Sequence, residues 1–199
     1  MQNLLPNRIS VNLANLIIVH NPELIDKKDE IRYGLEWIIS GLNQVILTVM
    51  VALPFGLVLE ALFTLLSGAF LRMFSGGAHA RGYFKCLLIS MFQVLIISFI
   101  AASYSSLLEQ HIFVLCFMLV FSFGLVYIKA PVLMKKKELF NSNDKLKLRY
   151  LSLLTFVICL LISFLPEISE FKYCIWLSLI IQSLSLTNTL EKALTYLRL

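Results

Sequence analysis

Charge is what this sequence has least of. Only 15% of its 199 residues are charged, whereas 59% are hydrophobic, and the mean hydropathy is +0.84. Soluble domains carry about 25% charged and about 45 to 50% apolar residues, because most of their surface has to meet water. A soluble globular domain is therefore not expected. Cysteine pairing is missing as well. Cys86, Cys116, Cys159 and Cys174 show no CxxC spacing, which argues against both a zinc site and a disulfide framework. There is no HExxH motif, the helix-borne signature of a zinc protease, and no second clustered His. No metal and no cofactor is predicted. Residues 1–34 lack the basic start running into an apolar stretch that marks a secretory signal, so the N-terminus is expected to be retained.

What is present is a series of apolar runs, and these lie at 37–53, at 57–71 after the turn Pro54-Phe55-Gly56, and at 87–104, 112–128, 151–165 and 173–189. A bilayer core of about 30 Å is crossed by roughly 17 to 25 helical residues, so each run is near the minimum for a span. Ahead of them, apolar residues at positions 9, 13, 16 and 17 form a helical stripe, with Asn12 and Asn15 on another side. Such a helix is suited to lie on a membrane surface. The expectation is an all-α polytopic membrane protein of about six transmembrane helices plus an N-terminal amphipathic interfacial helix. It would form one membrane-embedded domain over 1–199, with a cytoplasmic amphipathic segment at 1–34 and a transmembrane core at 35–190.

The basic residues test that count, because Lys and Arg accumulate in cytoplasmic loops. With a cytoplasmic N-terminus and six spans, every one of the 17 basic residues except Lys172 falls on the cytoplasmic side. A wrong number of spans would scatter them over both sides. The formal charge of +5 is thus used in setting topology, and nucleic acid is not an expected partner. Both termini and the stretch from Arg72 to Cys86 are placed in the cytoplasm.

That stretch reads Arg72-Met73-Phe74-Ser75-Gly76-Gly77-Ala78-His79-Ala80-Arg81-Gly82-Tyr83-Phe84-Lys85-Cys86. It holds the one His and Cys that are close together in a polar setting. Thiol catalysis needs a thiolate, which a neighbouring His and cationic side chains favour. On one straight helix the seven residues from His79 to Cys86 would separate them by about 10 Å along the axis, too far for the roughly 3 Å reach of a general base. A dyad therefore requires His79 on a loop that folds back and Cys86 on the first turn of the next helix. Glycines at 76, 77 and 82 make such a path sterically easy. A solvated loop His and an inert membrane-edge Cys are the alternative on residue chemistry alone.

The string Gly77-Ala78-His79-Ala80, with Cys86 seven residues after the His, resembles the AgrB (accessory gene regulator B) family of membrane cysteine endopeptidases. Arg32-Tyr33-Gly34-Leu35-Glu36 resembles the family's segment before its first membrane helix. Ala130-Pro131, followed by Lys135-Lys136-Lys137, resembles its loop after the fourth. The resemblance covers most of the chain in matching order. It implies peptide processing in bacterial quorum sensing: removal of the C-terminal tail of an AgrD-like precursor peptide, a thioester on the catalytic Cys, and release of a cyclic thiolactone or lactone. Carried over, Cys86 is the nucleophile and His79 its base and acid. Glu36 is a candidate third member that orients His79, or a solvated acid at a helix start. Arg72 is a candidate for holding a substrate carboxylate. Gly76 and Gly77 are candidates for close substrate approach or for an oxyanion contact. Lys135, Lys136 and Lys137 would attract an acidic peptide tail, although binding of anionic membrane lipid accounts for them equally well. The chain departs from some relatives at Ser75-Gly76, where they are more polar or basic, so the family's fine substrate details are not carried over. The family implies a homodimer in the bacterial cell membrane. The rival from another class is a small transporter or membrane scaffold, suggested by Asn43, Gln44, Glu60 and Gln93 within spans. No internal inverted repeat supports it.

Overall fold

A computed structural model describes residues 6–77, 83–132 and 142–187. Among these the chain is helical, with no strand. The helices are α1 (Pro6–His20), α2 (Lys28–Ala52), α3 (Val58–Ser75), α4 (Tyr83–Ser103), α5 (Ser105–Gln110), α6 (Ile112–Lys129), α7 (Ser142–Ile162) and α8 (Lys172–Leu184). Short 3-10 turns lie at Pro22–Lys27, Leu53–Phe55 and Ser169–Phe171. The chain divides into two compact units, Met1–Leu47 and Thr48–Leu199, with the division inside α2.

In the first unit, α1 covers the interval where the apolar stripe predicts a short helix. It buries Pro6, Ser10 and Ala14, and leaves Leu13 and Leu16 of the stripe exposed. Asn21-Pro22 ends α1, as the turn signal implies, because the residue before a proline is driven out of the helical region. The start of α2 is charged, with Asp29 and Glu30 in the first turn, where the helix dipole favours acids. Arg32 sits between Asp29 and Glu36, 3.5 Å from each.

The second unit is built around α8. This helix has 13 residues, and nine of them are buried. It packs most extensively on α3 and α6, and also on α4 and α7. A helix that is apolar nearly all round is a core helix. Its polar residues are satisfied by neighbours: Ser178 Oγ donates to the Thr64 carbonyl at 2.7 Å, and Trp176 Nε1 donates to Ser163 Oγ at 2.8 Å. Ser98 Oγ on α4 reaches Thr64 Oγ1 at 3.2 Å, so Thr64 joins three helices. Opposite Ser178, a Cβ added at Gly68 would lie 2.7 Å from its hydroxyl. Small residues and hydroxyls at such close crossings hold helices together where surrounding lipid is as apolar as the side chains. The outward faces carry the large apolar groups; Phe113, Phe117 and Val120 of α6 are 86%, 72% and 72% exposed.

Four helical segments among the described residues are long and apolar enough to cross a membrane: Pro22–Phe55, Val58–Ser75, Tyr83–Ser103 and Ile112–Lys129. The last two apolar runs of the sequence differ. The first turns of α7 carry Asp144, Lys145, Lys147 and Arg149. The helix α8 has only 13 residues. At the α-helical rise that is a length of about 20 Å, whereas a bilayer core is about 30 Å thick. Of the six expected spans, four are therefore evident by length and composition.

Charged groups gather at the ends of the bundle. Glu60, which the sequence places within the second apolar run, is in the first turn of α3, where the helix dipole favours a carboxylate. At that same end Lys172 Nζ donates to Glu109 Oε2 at 2.8 Å, and the Tyr173 hydroxyl donates to the same oxygen. Phe63 stacks on Phe171 beside them, with ring centroids 4.6 Å apart.

Candidate active site

At the opposite end of the second unit, four stretches distant in sequence meet around the turn that leaves α3. Gly76 N–H donates to the Arg72 carbonyl at 2.9 Å and closes the helix. The backbone then turns with Gly76 at φ +72° and Gly77 at φ +136°. L side chains rarely adopt such conformations, and glycine does so freely. Val132, in the connection after α6, donates its N–H to the Ser75 carbonyl at 2.9 Å, and Gly76 bridges to Val132 in parallel. Gln182 of α8 donates Nε2 to the Gly76 carbonyl at 2.9 Å. Arg149 of α7 donates Nε to the Ala130 carbonyl at 2.9 Å, fixing the connection that carries Val132. The Ala130-Pro131 bond is cis.

Space around the two glycines is filled by the chain itself. A Cβ on Gly76 would lie 2.1 Å from the Val132 carbonyl oxygen. One on Gly77 would meet Ser185 Oγ at 2.7 Å and Gln182 Nε2 at 3.3 Å. The sequence suggests glycines here for close approach of a substrate. The close approach seen at both is intramolecular, and the Gly76 N–H is engaged by Arg72.

Arg72 is in the last turn of α3 and is half-buried. Cys86 is the fourth residue of α4 and is also half-buried. The two are within electrostatic reach of each other. His79 lies outside the described residues, as do Arg81 and Gly82 between it and α4, and Lys135, Lys136 and Lys137. Glu36 belongs to the first unit, where its partner is Arg32. The structure thus brings Arg72, Gly76, Gly77 and Cys86 to one end of the second unit.

Sequence reading missed Gln182, Ser185 and Arg149. Gln182 had a signal: it is an amide inside the last apolar run, and a polar side chain at such a position is costly unless it has a partner. It is 5% exposed. The other cysteines are apart from the site; Cys116 is exposed on α6, while Cys159 and Cys174 are buried. His20 Nδ1 is hydrogen-bonded to the Leu16 carbonyl at 2.9 Å, within its own helix end.

Residues 10–186 match the family model described as Accessory gene regulator B. The chain is 31% identical over 146 residues to an AgrB-like protein of Clostridium perfringens (strain SM101 / Type A), covering 72% of this chain and 68% of the relative. It is 28% identical over 158 residues to the Accessory gene regulator protein B of Staphylococcus haemolyticus (strain JCSC1435), covering 79% and 80%. An AgrB-like protein of Clostridium beijerinckii is 27% identical over 176 residues, covering 87% and 84%. No solved structure matches the chain.

Proposed function

Because this chain belongs to the accessory gene regulator B family, we propose that it is a membrane cysteine endopeptidase that matures a quorum-sensing peptide. Its substrate is an AgrD-like precursor, from which it removes the C-terminal tail and closes the remainder into a cyclic thiolactone or lactone. The observation that carries this reading is the position of Cys86 in the first turn of α4, at the end of the second unit where α3 closes on the Gly76-Gly77 turn.

The chemistry follows from those groups. His79 accepts the Cys86 proton, and the thiolate adds to the carbonyl of the scissile peptide bond. The carbon-nitrogen bond breaks, and the departing amine takes the proton from His79. A thioester on Cys86 remains. The peptide's own Cys thiol or Ser hydroxyl then attacks it and gives its proton to His79, and Cys86 leaves as thiolate. One peptide bond is exchanged for one ring thioester or ester, with no oxidation or reduction. Ring closure outruns hydrolysis because the peptide's attacking group is held close while water is scarce at the membrane edge.

Supporting roles complete the proposal. Arg72 holds a substrate carboxylate, and Lys135, Lys136 and Lys137 attract the acidic tail. The chain crosses the bacterial cell membrane six times with both termini and the active-site loop cytoplasmic, α1 lies at the interface with Leu13 and Leu16 toward lipid, and two copies pair as a homodimer. Lys172, the one basic residue assigned to the outer side, has its charge balanced there by Glu109. The test is cleavage of precursor by membranes carrying Cys86→Ala or His79→Ala. Each variant should abolish tail removal while the protein still inserts and folds. A transporter or scaffold would tolerate both changes.

A further inference from the structure

The hydrogen bond from Gln182 to Gly76 joins the last helix of the bundle to the turn that leads into the candidate dyad. No reacting group is on α8. Yet α8 is the most enclosed helix of its unit and packs along α3 for most of its length. Near its C-terminal end, Gln182 is 5% exposed and directs its amide N–H at the Gly76 carbonyl, 2.9 Å away. Directly after, Ser185 folds its hydroxyl back to the Gln182 carbonyl at 2.6 Å and fills the space beside the Gly77 Cα. The turn is held on its other side by Val132, through the Ser75 carbonyl.

Covalent geometry makes this anchoring matter for His79. Two residues of extended chain span at most about 7 Å, so the His79 Cα cannot be farther than that from the Gly77 Cα. A dyad needs its base within roughly 3 Å of the thiol. Cys86 is fixed independently, on α4. The direction in which the chain leaves Gly77 therefore bears on whether His79 can meet Cys86. Glycines impose little direction of their own, and the local Ser75 hydroxyl, 3.3 Å from the Gly76 carbonyl, moves with the turn. Among the described residues, the group outside the turn that bonds the Gly76 carbonyl is the Gln182 amide.

We propose that Gln182 is a positioning residue of the active site, its amide holding the Gly76 carbonyl so that the chain leaves Gly77 on the path that brings His79 to Cys86. The inference rests on the peptidase reading given above. It couples the last helix to catalysis: α8 reads out bundle packing at one end and directs the catalytic loop at the other.

The test compares purified full-length protein with Gln182→Met, which keeps an unbranched side chain of similar length and removes the donor, and with Ser178→Ala. Ser178, one turn earlier on α8, also bonds α3, but through Thr64 and away from the turn. Two readouts are taken: steady-state precursor cleavage, and the rate of Cys86 alkylation by iodoacetamide as a function of pH. His79→Ala is the reference for a lost dyad. Gln182→Met should lower kcat by about 100-fold, the cost of a misplaced reacting group, with KM within about twofold of wild type, as for an interaction felt only in the transition state. Its alkylation profile should move toward that of His79→Ala, and Ser178→Ala should keep both readouts. Wild-type kcat in Gln182→Met, an unmoved alkylation profile, or an equal loss in Ser178→Ala overturns the proposal while leaving the peptidase reading intact. If His79→Ala itself leaves the alkylation profile unmoved, the dyad falls, and the positioning role with it. Should Gln182→Met not fold, Gln182→Glu carries the same comparison, since an ionised carboxylate cannot donate to the Gly76 carbonyl.

Discussion

Gly76 and Val132 approach so closely that a Cβ on Gly76 would lie 2.1 Å from the Val132 carbonyl oxygen. The obstruction is backbone, which cannot swing aside as a side chain would, and Gly76 also has a φ of +72°. Gly76→Ala is therefore strained twice. The dihedral alone costs about 1–3 kcal/mol, and relief of the contact has to separate α3 from the connection after α6. The variant should be recovered with a lowered unfolding temperature in detergent and with precursor cleavage largely lost. Wild-type stability would mean that the turn is more loosely packed than it stands here.

At the other end of the bundle, the Glu109 and Lys172 pair makes a prediction in pH. Hydrogen bonds from Lys172 and Tyr173 hold the Glu109 carboxyl below its ordinary range, and Glu109 holds the Lys172 ammonium above its own. A depressed carboxyl contributes stability above its unfolded pKa of about 4.3 and loses it as pH falls through the folded value. A raised ammonium contributes below its unfolded pKa of about 10.4 and loses it as pH rises through the folded value. Glu109→Gln should thus melt below wild type between about pH 5 and 9, and the two should converge in strong acid. The pair is at the surface, so the gap should be small and should shrink in salt. Parallel melting curves across the whole pH range would contradict the pairing.

Lys135, Lys136 and Lys137 are tested by replacing all three with Gln. If they draw in an acidic tail, processing of a wild-type precursor should slow several-fold at low salt, and the deficit should narrow as ionic strength rises and screening removes the advantage from both proteins. A precursor whose tail acids are neutralised should lose the dependence. An unchanged rate at low salt would assign these lysines to topology and lipid alone.

Several of these features were legible in the sequence, and particular residues show why others were not. The apolar runs gave the helices, and Pro54-Phe55-Gly56 gave the turn between α2 and α3, with Gly56 at φ +68°. A His79 and Cys86 dyad requires Cys86 on the first turn of a helix, and Cys86 lies in the first turn of α4. The central place of α8 was hidden because composition does not separate a run buried among helices from one facing lipid; both are apolar. Gln182 and Arg149 were hidden for a different reason. Each acts on a backbone carbonyl that belongs to another part of the chain, Gly76 and Ala130 respectively, and a carbonyl has no letter in the sequence to mark it as a partner. Nor can spacing say that the room made by Gly76 and Gly77 is taken up by Val132, Gln182 and Ser185.

The thioester proposed on Cys86 is open to direct measurement. Purified protein should be mixed with precursor, quenched in acid, and measured by intact mass. An added mass equal to the precursor without its tail should appear, attached at Cys86, removed by neutral hydroxylamine, and absent in both Cys86→Ala and His79→Ala. Tail removal that proceeds in Cys86→Ala, or an adduct on any other residue, would contradict it.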